Sequence, residues 1–332
     1  MKVYVFGARS GGVGKTTVSF NTLVATQLIA PPPPGLLDVF LECDFGRQSA
    51  VHLWNPHFLE EREASPDSYP TLREYLAGVA EPWEIAYSTS HPAYRNLVMI
   101  PSAPLCSSDR ELLKSYSEYS GKMLKLLEFL KPRCRLLVID APGAGGLSGL
   151  ADYLLLIPLG SFIPVVQPDK PSIDEASQLV DIATLAGSAV PAAVINKYRG
   201  GKWAVSYAKA ALAAGETQIL TIRDDKKARE AYEAGVPVVL YSPSSRASKD
   251  IKLLAQTLAS SAPAHTIQQA EKRARILSKV IEALARRRAP QLQLPDIESI
   301  LRELDKLIGH EGGSDTQAQD WAHQPYHKPK AH

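Results

Sequence analysis

Residues 7 to 17 read GARSGGVGKTT, which crowds glycines ahead of Lys15, Thr16 and Thr17. Backbone amides of a glycine-rich turn at a helix N-terminus converge on a phosphate, and the helix dipole favours negative charge there. Glycine is required where the backbone approaches the oxygens too closely for a β-carbon. Gly11, Gly12, Val13 and Gly14 are then the cradle, Lys15 reaches the β- and γ-phosphates of a nucleotide, and the Thr16 hydroxyl binds Mg²⁺.

Two carboxylates complete such a site. Asp140 closes the apolar run RLLVID (135–140), where it can bind the metal through water, and APGAGG behind it is flexible enough to sense a γ-phosphate. Asp44 closes the run DVFLECD (38–44), where it can orient or deprotonate the attacking water. The expected catalytic residues are Asp44 and Lys15, and the expected metal set is Thr16, Asp140 and Asp44.

These groups meet only if the fold gathers several strand ends at one edge. Residues 2–6 read as a short buried strand ending at glycine, and 15–30 as a helix stopped by four prolines. Further strands are expected at 38–44, 96–102, 135–140, 162–166, 192–197 and 218–222. Helices are expected at 71–78, 109–131, 172–186, 225–234 and 246–260. This alternation predicts an α/β fold, a mostly parallel twisted sheet with helices on both faces. Open sheets of that kind bind ligands at the carboxyl ends of their strands, where both aspartates are expected.

The bulk properties fit that class and exclude others. The chain has 332 residues, 45% hydrophobic and 22% charged, as an ordinary globular protein does. A net charge of +2 is too small to indicate nucleic-acid binding, so any basic surface must be local. Cys43, Cys106 and Cys134 lie far apart without a CxxC pair, which disfavours structural zinc, an iron–sulfur cluster or a disulfide framework and suggests a cytoplasmic setting. The N-terminus lacks the long apolar core of a signal peptide. The most apolar later segment, 153–166, is broken by Pro158 and Pro164 and falls short of the roughly 18 residues a spanning helix needs.

Six segments in order resemble the ParA/MinD family of deviant Walker A ATPases, of the SIMIBI class, over about residues 1 to 260. GGVGKTT is similar to the second half of the family loop, LECDFGRQSAVHL to its first switch, and LLVIDAPGAGG to its Walker B strand and second switch. VVQPDKPSIDEA and AAVINKY resemble the two strands that follow, and the stretch 219–255 resembles the family's closing segment. The resemblance implies that Asp44 activates water, that Asp140 is the Walker B acid, that Asn196 contacts the base, and that Asp224 and Asp225 lie along the adenine. It also implies ATP and Mg²⁺ as cofactors and an ATP-dependent homodimer. Such dimers position cargo on DNA with a ParB-like adaptor, or on membrane. The run Asn196, Lys197, Tyr198, Arg199 lacks the aspartate that guanine readers carry two places after the lysine, so ATP is expected over GTP.

One departure stands out. The family loop reads KGGxGKT, its first lysine reaching the partner's nucleotide across the dimer, and here that position is Ser10. Arg9, one place earlier, either supplies the missing charge or is a solvated cation with no such contact. DNA partition through ATP-dependent dimers is the expected process, with a MinD-like membrane-positioning ATPase or a nucleotide-gated scaffold of negligible turnover as alternatives.

Composition shifts after residue 260. Ile267, Ala270, Ala274, Leu277, Ile281 and Leu284 form one helical stripe, and Ile297, Ile300, Leu301, Leu304, Leu307 and Ile308 form a second before Gly309. The expected organisation is an ATPase unit at 1–260, a two-helix extension at 261–309 and a disordered tail at 310–332. The first extension helix carries seven cations against two acids, compatible with packing in a hairpin, with DNA phosphates or with anionic lipid. Arg199, Lys202, Lys226, Lys227, Lys249 and Lys252 form a second candidate basic surface, where ParA-type dimers carry DNA-facing charge.

Overall fold

The computed structural model describes residues 1–45, 49–65, 68–89, 91–94, 96–103, 116–143, 156–212, 216–261 and 272. The two-helix extension, apart from Ser261 and Lys272, and the tail lie outside them, as do residues 144–146 of APGAGG. The strands are β1 (Lys2–Gly7), β2 (Leu37–Glu42), β3 (Tyr87–Ser88), β4 (Leu97–Ile100), β5 (Cys134–Asp140), β6 (Ser161–Val166), β7 (Ala192–Tyr198) and β8 (Gln218–Arg223). They form one sheet in the order β3-β4-β2-β5-β1-β6-β7-β8. Every neighbouring pair is parallel except β3 with β4.

The chain lays β2, β4 and β5 on one side of β1 and then β6, β7 and β8 on the other, so the loop after β1 stands where the winding reverses. That reversal opens a crevice at the carboxyl edge. β1 shows why the sheet is covered twice. Val5 joins a core with Leu41, Leu137 and Ile139, while Tyr4 and Phe6 join one with Phe40, Val138 and Ile163. Side chains alternate across a strand, so the four consecutive buried residues Tyr4 to Gly7 demand cover on both faces.

Helices α1 (Lys15–Ile29) and α10 (Arg246–Ser260) cover the second face through Phe20, Leu23, Ile251 and Leu254. Phe20 meets Phe40 edge-on at 5.1 Å between ring centres. Helices α4 (Leu72–Ala77), α5 (Tyr116–Leu130) and α6 (Lys170–Leu185) cover the first face through Leu76, Leu127 and Ile173. α1 ends at Ala30, which is extended, as a residue ahead of proline must be.

Among the described residues, four α-helices and one strand are absent from the sequence reading: α2 (Ser49–Trp54), α3 (Phe58–Ala64), α7 (Lys202–Leu212), α9 (Val238–Tyr241) and the two-residue β3. α7 buries Ala204, Ala208 and Leu212, a stripe too rich in alanine to stand out by hydropathy. The strand expected at 38–44 ends at Glu42, so Asp44 lies in the turn beyond the strand instead of closing it. The helix expected at 109–131 is described from Tyr116, with 104–115 outside the described residues. α8 (Lys226–Glu233) matches its expected place.

Candidate functional site

The first turn of α1 offers its amides without a side-chain acceptor. Gly14 is the N-cap, with φ +88° and no side-chain cap, and no acid occupies the first turn. Gly12 is also left-handed, at φ +75°. Both conformations favour glycine, and a β-carbon on Gly14 would run into the Asn196 amide nitrogen. Uncapped N-terminal amides attract an anion.

Beneath the loop, the fully buried Asp140 is a hub. It accepts from Thr16 Oγ1 at 2.7 Å and from Ser19 Oγ at 3.1 Å. Lys15 Nζ stands 2.8 Å from Asp140 Oδ1 as a buried ion pair, and among the described residues the ammonium meets no other acceptor. A buried donor in that state is costly unless a ligand supplies the acceptor. Sequence reading placed Lys15, Thr16 and Asp140 together; Ser19 it missed, although a hydroxyl one turn after Lys15 was a readable signal.

The loop is held from behind by residues far along the chain. Asn196 Nδ2 donates to the Val13 carbonyl at 2.7 Å, Lys197 Nζ to the Gly12 carbonyl at 2.7 Å, and Gln167 Nε2 to the same carbonyl at 3.4 Å. Asn196 thus braces the loop in addition to any contact with a base. The loop contacts of Lys197 and Gln167 had no signal in the sequence.

Asp44 lines the cavity above the loop, and Ser102 Oγ donates to its backbone carbonyl at 2.9 Å. Glu42, two residues earlier and fully buried, accepts from the Ala50 amide at 2.9 Å and from Ser102 Oγ at 3.3 Å. Burial pushes the Glu42 carboxyl up to about 8; Asp140 and Asp44 add to the rise, and the Ala50 and Ser102 amides oppose it. Glu42 faces Asp140 in register across β2 and β5. It ties the α2 N-terminus and the end of β4 to the segment carrying Asp44, a role the sequence reading did not assign.

The cavity measures about 800 Å³ and runs from the loop to Asn196, Asp224, Asp225, Ala228 and Tyr232. Asp224 accepts from Arg199 Nε at 2.8 Å. Asp225 caps α8 through the Lys227 amide at 3.0 Å and receives the Ala247 amide at 3.1 Å. Its acidity is strengthened: burial opposes this, but the amides of Ala247, Lys227 and Arg246 outweigh it. The Asp225 carboxylate therefore shapes this wall of the cavity, with both oxygens engaged by backbone amides.

Arg9 is not among the lining residues; its guanidinium donates to Gln178 of α6, and Ser10 donates to Glu175 of the same helix. On the basic surface, Arg199 pairs with Asp224, Lys226 and Lys227 pair with Glu230, and Lys252 donates to the Pro243 carbonyl. No described helix is long and apolar enough to cross a membrane.

No protein-family model matches the sequence. An uncharacterized ATP-binding protein of Methanocaldococcus jannaschii is 25% identical over 279 residues, which are 84% of this chain and 94% of that protein. The septum site-determining protein MinD of Pyrococcus horikoshii, solved with Mg-ADP, superposes with a TM-score of 0.61 at 20% identity, covering 78% of this chain and 96% of that one. Apo McdA of Cyanothece gives 0.62 at 19% identity, covering 78% and 99%. With its eight-stranded, mostly parallel sheet and the phosphate loop at its reversal point, the chain has the P-loop NTPase fold of the MinD, McdA and ParA structures.

Proposed function

We propose that the chain is a Mg²⁺-dependent ATP-binding and ATP-hydrolysing switch of the ParA/MinD type, acting as an ATP-dependent dimer in DNA partition. The observation that carries this is the Lys15 ammonium, buried beneath the uncapped amides of α1 with Asp140 as its one partner among the described residues. Phosphate oxygens supply what both lack. Thr16 and Asp140 fit a hard cation, offering a hydroxyl and a carboxylate 2.7 Å apart at the foot of the loop. Thr16 and Asp140 would hold Mg²⁺ there, and the bound ion would neutralise charge on the phosphates; Asp44 lines the same cavity as Thr16. Asp44 orients or deprotonates the attacking water from the turn that Glu42 and Ser102 brace. The relative named as ATP-binding supports the choice of nucleotide, as do the missing guanine-reading aspartate and the acceptor Asp224 on the cavity wall.

DNA is the preferred surface because the cations Arg199, Lys202, Lys226, Lys227 and Lys249 are exposed and Lys252 is half-buried. The ion pairs of Arg199, Lys226 and Lys227 are solvent-facing and cheap to exchange for phosphates. A ParB-like adaptor is the expected partner. One observation favours a second reading, a nucleotide-gated scaffold with negligible turnover. Ser10 replaces the family lysine and is tied to Glu175, while Arg9 is tied to Gln178 in the same chain.

Calorimetry with MgATP tests binding, and phosphate release without additions, with duplex DNA and with anionic vesicles tests the rest. The partition reading expects sub-millimolar affinity and release stimulated by DNA. Binding without release under any condition supports the scaffold, stimulation by vesicles alone supports membrane positioning, and absence of binding rejects all three.

A further inference from the structure

Among the described residues, Lys197 is the one non-glycine with positive φ, at +55°. Left-handed backbone is disfavoured for a side chain with a β-carbon, and such conformations persist where something over-determines them. Here it sits at the end of β7, where the register with β8 shifts between Ile195 and Tyr198. The turn sends two consecutive side chains to two consecutive loop carbonyls: Asn196 to Val13 and Lys197 to Gly12, each at 2.7 Å.

The carbonyl and amide of a trans peptide point in opposite directions. Drawing the Gly12 carbonyl toward β7 therefore turns the Val13 amide the other way, and drawing the Val13 carbonyl back does the same for the Gly14 amide. A regular strand would place successive side chains on opposite faces of the sheet. The left-handed residue overrides that alternation, so both donors reach one loop.

We propose that Lys197 is a positioning residue of the phosphate loop: its strained backbone delivers an ammonium to the Gly12 carbonyl and thereby aims the Val13 amide at a bound phosphate. The inference rests on the nucleotide-binding reading above and adds a residue that acts through the loop. It also makes the strain functional, because conformational cost is retained where it orders a binding loop.

Three variants of the full chain separate backbone from charge. Lys197→Gly relieves the strain and removes the ammonium, Lys197→Met keeps the strain without the ammonium, and Lys197→Arg keeps a cation. MgADP affinity by calorimetry is read beside thermal unfolding without nucleotide. Losing a charged donor is expected to weaken MgADP about tenfold in Lys197→Gly and Lys197→Met, with Lys197→Arg within about threefold of wild type. Lys197→Gly is expected to unfold at or above the wild-type temperature, an opposite sign that a merely structural lysine does not give. Undiminished affinity in the glycine and methionine variants overturns the inference while nucleotide binding stands. So does an arginine variant as weak as methionine, or a glycine variant that loses affinity and thermal stability together. A wild-type chain without affinity for MgADP overturns both the inference and the reading beneath it.

Discussion

Asn196 donates its side-chain amide to the Val13 carbonyl at 2.7 Å, and the same nitrogen occupies the space that a β-carbon on Gly14 would need. The end of β7 and the glycine-rich loop before α1 are thus fitted to each other across 182 residues of chain. A change on either side is felt by the other.

Gly14→Ala is expected to lower stability by about 1–3 kcal/mol, from a left-handed alanine and the collision with Asn196, and to weaken MgATP at least tenfold. In the double variant with Asn196→Ala the two costs should sum to less than the singles, because the collision is removed. Urea unfolding of the four proteins measures the coupling; strict additivity rejects the contact.

Lys15→Met is expected to reduce MgATP affinity by roughly 10- to 100-fold, the worth of a charge-assisted hydrogen bond to phosphate. Its effect on the free chain should be partly relieved by Asp140→Asn, since the unpaired carboxylate is then neutral. Calorimetry and urea unfolding read the two effects separately.

Glu42 predicts a pH dependence. An acid whose folded pKa is raised keeps its proton in the folded state while the unfolded chain releases it. Stability contributed by the protonated Glu42 is therefore lost as pH rises from about 4.5 toward about 8, and levels off above that. The slope is at most about 1.4 kcal/mol per pH unit. Glu42→Gln should lose less stability over the same window. Parallel unfolding curves for the two proteins between pH 5 and 8.5 would contradict this.

Arg9→Ala removes only a solvent-facing contact with Gln178, so stability should change by less than about 1 kcal/mol and ATP affinity should stay near wild type. If Arg9 serves the partner's nucleotide, ATP-dependent dimers disappear. Light scattering with MgATP decides it; undiminished dimers exclude the trans role.

Removing the Asp225 carboxylate tests the cavity wall. Asp225→Ala is expected to cost about 1 kcal/mol through the lost cap of α8 and to loosen the Ala247 amide. Nucleotide affinity should fall only modestly, because those oxygens serve the backbone. Thermal unfolding and calorimetry on the same preparation compare the two losses.

Local pattern was enough for much of this protein. The glycines ahead of Lys15, the apolar runs ending near Asp44 and at Asp140, and the strand–helix alternation are short-range signals, and they sufficed for the loop, the parallel sheet and the meeting of Thr16 with Asp140. Only the tertiary structure decided which residues stand behind the loop. Lys197, Gln167 and Glu42 act through strand order and register, with β6 and β7 beside β1 on one side and β5 between β1 and β2 on the other. Such contacts join positions that no helical or strand periodicity relates. A lysine's left-handed turn is likewise invisible in its own neighbourhood, because the surrounding fold, and not the propensity of lysine, holds it there.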